Sequence, residues 1–176
     1  RDKVVITIDG ASSKDLDDAV SLERDGLGRW VLGVHIADVS HYVRPGSALD
    51  LEAWERGTSV YFADQVVPML PRELSNGICS LNPRVDRLAL SCVMTLTPEG
   101  EVVDHTIAKS VIRTTERMTY EDCNALLAHS DPALAERYAR ILPMLEDMAA
   151  LSRVLEGRRR RRGALELDTR ESLSLI

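Results

Sequence analysis

The chain has few of the features that would place it outside a reducing compartment or inside a membrane. Its three cysteines, Cys79, Cys92 and Cys123, form no Cys-x-x-Cys pair and leave one thiol over in any disulfide scheme, which argues against a disulfide-built scaffold. No stretch approaches the roughly 18 apolar residues of a membrane helix, and no apolar signal segment follows the charged start. A cytoplasmic protein without a membrane partner is expected. Aromatics are scarce, with one phenylalanine, two tryptophans and four tyrosines in 176 residues, so the core must be mainly aliphatic. The net charge of -6 argues against indiscriminate polyanion binding, although five consecutive arginines, Arg158 to Arg162, run against that balance. Neither an internal repeat nor a low-complexity linker interrupts the chain, and its length suits a single domain.

Four of the chain's 28 acidic residues, by contrast, crowd into one place. Asp9, Asp15, Asp17 and Asp18 fall in a single short segment directly after the apolar run Val4 to Ile8. Like charges at such close quarters repel, and a hard divalent cation between them removes the penalty. A loop that folds back on Asp9 would gather three or four carboxylates around one or two magnesium ions, a donor set suited to phosphodiester hydrolysis. Spacing alone leaves other readings open: a solvated acidic turn, an adventitious calcium site, or the Asp15-Leu16-Asp17 site of a sugar-nucleotide transferase. An EF-hand does not fit, because the segment lacks the glycine at loop position six and runs straight into a strand.

The pattern around this loop predicts an α+β fold with a mostly antiparallel sheet early, helices late and the acidic loop at one end of the sheet. Val4 to Ile8, Ala19 to Glu23 and Trp30 to Ile36 read as strands, the last two forming a hairpin across Asp25-Gly26-Leu27-Gly28. Leu49 to Glu55 reads as a helix stopped by Gly57, followed by extended stretches Ser59 to Phe62 and Val66 to Leu70 within loop-like chain. Leu88 to Thr97 and Glu101 to Arg113 form a second hairpin around Pro98-Glu99-Gly100. Thr119 with Asp122 resembles a capping box, and Asp131-Pro132 an N-cap followed by proline at the first helical position. Leu134, Tyr138, Ile141, Leu145, Met148 and Leu155 then recur as one apolar helical stripe, kinked or split at Pro143. Residues 164–176 read as strand material.

Thr7-Ile8-Asp9-Gly10 followed by Lys14-Asp15-Leu16-Asp17-Asp18-Ala19-Val20 resembles the signature of the ribonuclease II and ribonuclease R exoribonucleases, in their catalytic RNB domain. Three further blocks agree: Val34 to Val43, Arg56 to Tyr61 leading to Pro68-Met69-Leu70-Pro71, and Leu74 to Asn82. The ribonuclease R branch is the closer match. The resemblance implies processive 3′-to-5′ hydrolysis of single-stranded RNA to 5′-nucleoside monophosphates by a monomeric enzyme. It also implies one or two magnesium ions, for which manganese can substitute. Asp9, Asp15 and Asp18 would hold metal, and Asp17 would be the carboxylate most tied to the chemical step. Tyr61 matches the family tyrosine that stacks on the 3′-terminal base, a contact worth about 1–3 kcal/mol; without the motif it would read as a packed tyrosine at a strand end.

Arg84 and Arg87, beside Asn82-Pro83, are expected along the RNA path. Arg162 and the arginine run before it are expected either to meet RNA phosphates or to form a solvated helix end that complements the macrodipole. His35 and His41 read as structural, since imidazole suits a carboxylate-rich magnesium site poorly. The family's second stacking aromatic corresponds to Leu167 here. The chain matches about the first half of an RNB domain, without the later region that supplies a catalytic arginine and without the flanking cold-shock and S1 domains. Alone it is expected to be inactive or nearly so. The alternative within the same fold is a non-catalytic RNA-binding or assembly module.

Overall fold

A computed structural model describes residues 3–62 and 65–165. Three strands come first, β1 (Ile6–Asp9), β2 (Asp18–Arg24) and β3 (Trp30–Ala37), with β2 and β3 antiparallel across the expected turn. Asp25 closes that turn by accepting from the N–H groups of Leu27 and Arg29, both at 2.9 Å. A single turn, α1 (Val39–Tyr42), precedes α2 (Ala48–Arg56). The second helix begins where Ser47 accepts from the Asp50 N–H and ends at Gly57, whose φ of 70° is the left-handed cap that glycine adopts without a Cβ penalty. The following extended stretches reduce to a two-rung hairpin, β4 (Val60–Tyr61) with β5 (Val66–Val67). The loop expected after Pro71 contains a π-helical segment, Glu73–Ile78. The long hairpin of β6 (Asp86–Leu96) and β7 (Val102–Arg113) lies where the pattern predicts it.

One strand escapes sequence reading: β8 (Glu116–Thr119) pairs in parallel with β1, from Ile6 opposite Glu116 to Asp9 opposite Thr119. Four residues between a long strand and a helix cap carry too little periodicity to declare themselves. Helices α3 (Tyr120–Leu127), α4 (Pro132–Arg137) and α5 (Leu142–Arg161) follow, the first two capped by Thr119 and Asp131 as expected. Pro143 splits the apolar stripe by sitting in the first turn of α5, where its missing donor leaves no helical bond unmade.

The six-stranded sheet runs β7-β6-β3-β2-β1-β8, antiparallel except at β1–β8, so the fold is α+β. Helices cover one face, where Tyr138, Ile141 and Leu145 meet Ile6, Met118 and Leu126, and where Leu151 meets Leu22, Trp30 and Leu96. The other face is closed by connecting segments, with Leu16, Cys79 and Leu81 packed on Val5, Ala19, Ala37 and Ala89. This second core anchors the acidic loop. All three cysteines are free thiols, and burial pushes Cys123 up to about 11. Among the described residues no helix is long and apolar enough to cross a membrane. Of the stretch expected to be strand after Gly163, Ala164 and Leu165 are not strand, and residues 166–176, including Leu167, lie outside the described residues.

Candidate active site

The four aspartates lie at one end of the sheet because β1 stops at Asp9 and β2 starts at Asp18. The eight residues between them are held by two separate sets of backbone bonds. In the first half, the Ser13 N–H donates to the Gly10 carbonyl at 3.0 Å, and Arg117 donates to the carbonyls of Gly10, Ala11 and Ser13. In the second half, the Ser80 hydroxyl accepts from the Leu16 N–H and donates to the Lys14 carbonyl, both at 3.1 Å. The Leu16 carbonyl takes the Leu81 N–H at 2.8 Å, and the Asp17 carbonyl takes the Ala37 N–H at 2.9 Å. Leu16 is buried in the connecting-segment core while Asp15 and Asp17 stay exposed, the alternation of an extended chain. A buried leucine thus holds two carboxylates outward.

The four carboxylates act on one another electrostatically. Burial raises the Asp9 carboxyl above its ordinary value, and Asp18 and Asp15 push the same way, against the Thr7 hydroxyl and the Arg117 guanidinium. Asp17 is raised as well, first by desolvation and then by Asp15, Asp18 and Asp9. Asp9 Oδ2 is buried without a hydrogen-bond partner, an acceptor still available to a ligand. The donor set of hard carboxylate oxygens suits magnesium or manganese. Among the described residues, however, no three ligating side chains converge as a metal-holding group.

Tyr61 and Asp15 line one open cleft of about 580 Å³, together with Lys14, Arg72, Ser75 and Asn76. Tyr61 is 70% exposed at the tip of its hairpin, which removes the alternative of a packed core tyrosine. A neighbouring hollow of about 320 Å³ shares Asp15, Ser59 and Ser75 with that cleft and reaches Asp17, Met69 and Cys79. Lys14 and Arg72 are cations in this cleft that the sequence reading missed; only their position identifies them.

The other expected residues are not gathered here. Arg87 donates from Nε to the Ser80 carbonyl at 2.9 Å and from Nη2 to Gly77 at 3.3 Å, so it braces the segment that holds the acidic loop. Arg84 pairs with Glu116 at 2.9 Å, and Glu116 faces Ile6 at the opposite end of β1 from Asp9. Arg162 caps α5, whose last turns pass the β6–β7 turn at Gly100, the end of the sheet away from the aspartates. His35 is structural, buried with Nε2 on Ser21 at 3.2 Å and Nδ1 on Ser91 at 2.7 Å, while His41 stacks edge-on to Tyr42. Ser80 and Arg117, which shape the loop, carry no sequence signal of their role, because both reach it from distant segments.

The RNB domain model matches residues 1–176. The chain is 55% identical to Ribonuclease R 1 of Lactococcus lactis over 176 residues, covering all of this chain and 21% of that protein. It is 50% identical to Ribonuclease R of Thermotoga maritima over 165 residues, covering 94% and 23% respectively. Among solved structures it is similar to Mycoplasma genitalium RNase R in complex with double-stranded RNA, with a TM-score of 0.87, 32% identity, and coverage of 97% of this chain and 30% of that one. The chain therefore spans about a fifth of the length of the curated relatives it matches.

Proposed function

The chain belongs to the RNB-domain family, and on that premise we propose that it carries the metal-binding part of a 3′-to-5′ exoribonuclease of the ribonuclease R type. The observation that carries the reading is the cleft that joins exposed Tyr61 to the acidic loop at Asp15. An aromatic face beside a carboxylate cluster suits a single strand whose terminal base stacks while the adjoining phosphodiester lies over the aspartates.

In this reading Asp9, Asp15 and Asp18 hold one or two magnesium ions, and manganese can take their place. When bound, the metal neutralises phosphate charge and supplies a water acidic enough to act as the nucleophile. Asp17 would orient the attacking water and take up its proton. Tyr61 positions the 3′-terminal base, and Lys14 and Arg72 meet phosphates along the cleft. Stacking on π-faces reads no sequence, which fits processive removal of 5′-nucleoside monophosphates from single-stranded RNA. In this reading the full-length enzyme containing this chain works as a monomer in the cytoplasm.

The test uses that full-length protein, wild type and Asp17→Asn, with magnesium and a 5′-labelled single-stranded RNA. A ladder that shortens stepwise from the 3′ end in the wild type and stops in the variant is expected. A folded, RNA-binding wild type that leaves the RNA intact would instead make the chain part of a binding module.

A further inference from the structure

Apart from the turn bond from the Ser13 N–H to the Gly10 carbonyl, one nitrogen holds the first half of the acidic loop. Arg117 sits on β8 opposite Thr7, and its Nη2 donates to the carbonyl oxygens of Gly10 at 3.1 Å, Ala11 at 2.9 Å and Ser13 at 2.8 Å. Three carbonyl dipoles aimed at one point repel one another unless a cation lies among them, so the shape of this turn depends on the guanidinium. Arg117 Nε is buried without a partner and adds no bond to the hold. The Asp15–Asp17 half has its own tethers at Ser80, Leu81 and Ala37. What those tethers leave unset is how the chain returns from Asp9 to Asp15.

We infer that Arg117 is the positioning residue of the acidic loop: by gathering the Gly10, Ala11 and Ser13 carbonyls it sets the placement of Asp9 relative to Asp15, Asp17 and Asp18. In this role it acts on the reaction through the loop. The side chain reaches the loop from 104 to 107 residues away along the chain, so the connection exists only once β1 and β8 have paired. The inference rests on the exoribonuclease reading only for its activity readout, because metal affinity reports loop placement independently.

The experiment compares the full-length wild type with Arg117→Ala, Arg117→Gln and Asp17→Asn. Manganese affinity is read by electron paramagnetic resonance without RNA, RNA affinity by fluorescence anisotropy in chelator, and shortening of labelled RNA under single-turnover conditions. Arg117→Ala is expected to weaken manganese binding roughly 10- to 100-fold, as losses of outer-shell support do. Shortening should slow by about 10²-fold, as for a misplacement near 1 Å, with RNA affinity within about twofold of wild type. Methylguanidinium, which restores a cation among the three carbonyls, should recover both metal affinity and rate in Arg117→Ala and do nothing for Asp17→Asn. Arg117→Gln keeps bulk without charge and should show the same losses if the alanine variant does not fold. A folded variant with wild-type manganese affinity and rate overturns the inference, as does RNA affinity falling in step with rate. If wild type leaves RNA intact while manganese affinity still drops in Arg117→Ala and returns with methylguanidinium, the exoribonuclease reading fails and the positioning role stands.

Discussion

Ser80 and Asp17 show what single residues do in this site. The Ser80 hydroxyl satisfies both the Leu16 N–H and the Lys14 carbonyl inside the protein. Ser80→Ala leaves both unpaired, at a cost of about 1–3 kcal/mol, and frees the segment carrying Asp15 and Asp17. Chemical denaturation should show the loss, and metal affinity should fall with it. Asp17 runs the other way. Its raised carboxyl means the folded chain holds a proton above pH 3.8 that the unfolded chain has released, so its contribution to stability is lost as pH rises through that window. At neutral pH without divalent cations, Asp17→Asn should therefore stabilise the fold, by no more than about 0.5 kcal/mol because solvent screens an exposed group. A variant less stable than wild type under those conditions would contradict the repulsion seen here. His35 titrates in the opposite sense: burial lowers it, so stability is complete above the unfolded value of about 6.5 and falls as pH drops below it. Denaturation midpoints should decline from pH 7 to 5 in wild type and much less in His35→Gln.

At the scale of elements, the β6–β7 turn meets α5 so closely that a side chain has no place. Gly100 has φ of 78°, and a Cβ there would approach Val154 Cγ1 to 2.9 Å and Leu155 Cδ2 to 3.2 Å. Gly100→Ala combines left-handed strain with overpacking and should cost about 1–3 kcal/mol, measurable as a lower denaturation midpoint with the acidic loop undisturbed. The β4–β5 hairpin is the opposite kind of element. Its residues are exposed and its ladder has two rungs, so Tyr61 stands on a projecting arm and not on the packed sheet. Tyr61→Ala should leave stability nearly unchanged and weaken RNA binding by about 1–3 kcal/mol, a result that fluorescence anisotropy with single-stranded RNA would record. Parallel loss of stability and binding would mean that the tyrosine packs after all.

For the molecule as a whole, two packed faces of one sheet do different work. The helical face packs against the sheet in two clusters, while the face of connecting segments holds the loop through Leu16, Cys79 and Leu81. Because the aspartates repel one another, a bound divalent cation should stabilise the entire fold, by about 2.7 kcal/mol at a hundred times its dissociation constant. Magnesium should raise the thermal midpoint of wild type and leave that of Asp9→Asn in place; chelation should reverse the gain. What the sequence by itself determined is the local part: both long hairpins, the helix stop at Gly57, the caps at Thr119 and Asp131, the split at Pro143 and the crowding of four aspartates after a strand. Each of these depends on neighbours in the chain, where periodicity, turn residues and capping act directly. The motif around Asp9 to Asp18 was also enough to indicate the family. Only the tertiary structure decided that β8 lies parallel to β1, that Arg117 and Ser80 clamp the loop, that Arg87 braces it and that Arg84 and Arg162 stand elsewhere. Those facts come from contacts across 7 to 107 residues, most of them far beyond the span over which local pattern operates. The guanidinium among three carbonyls is a property of two strands meeting, and neither strand alone encodes it.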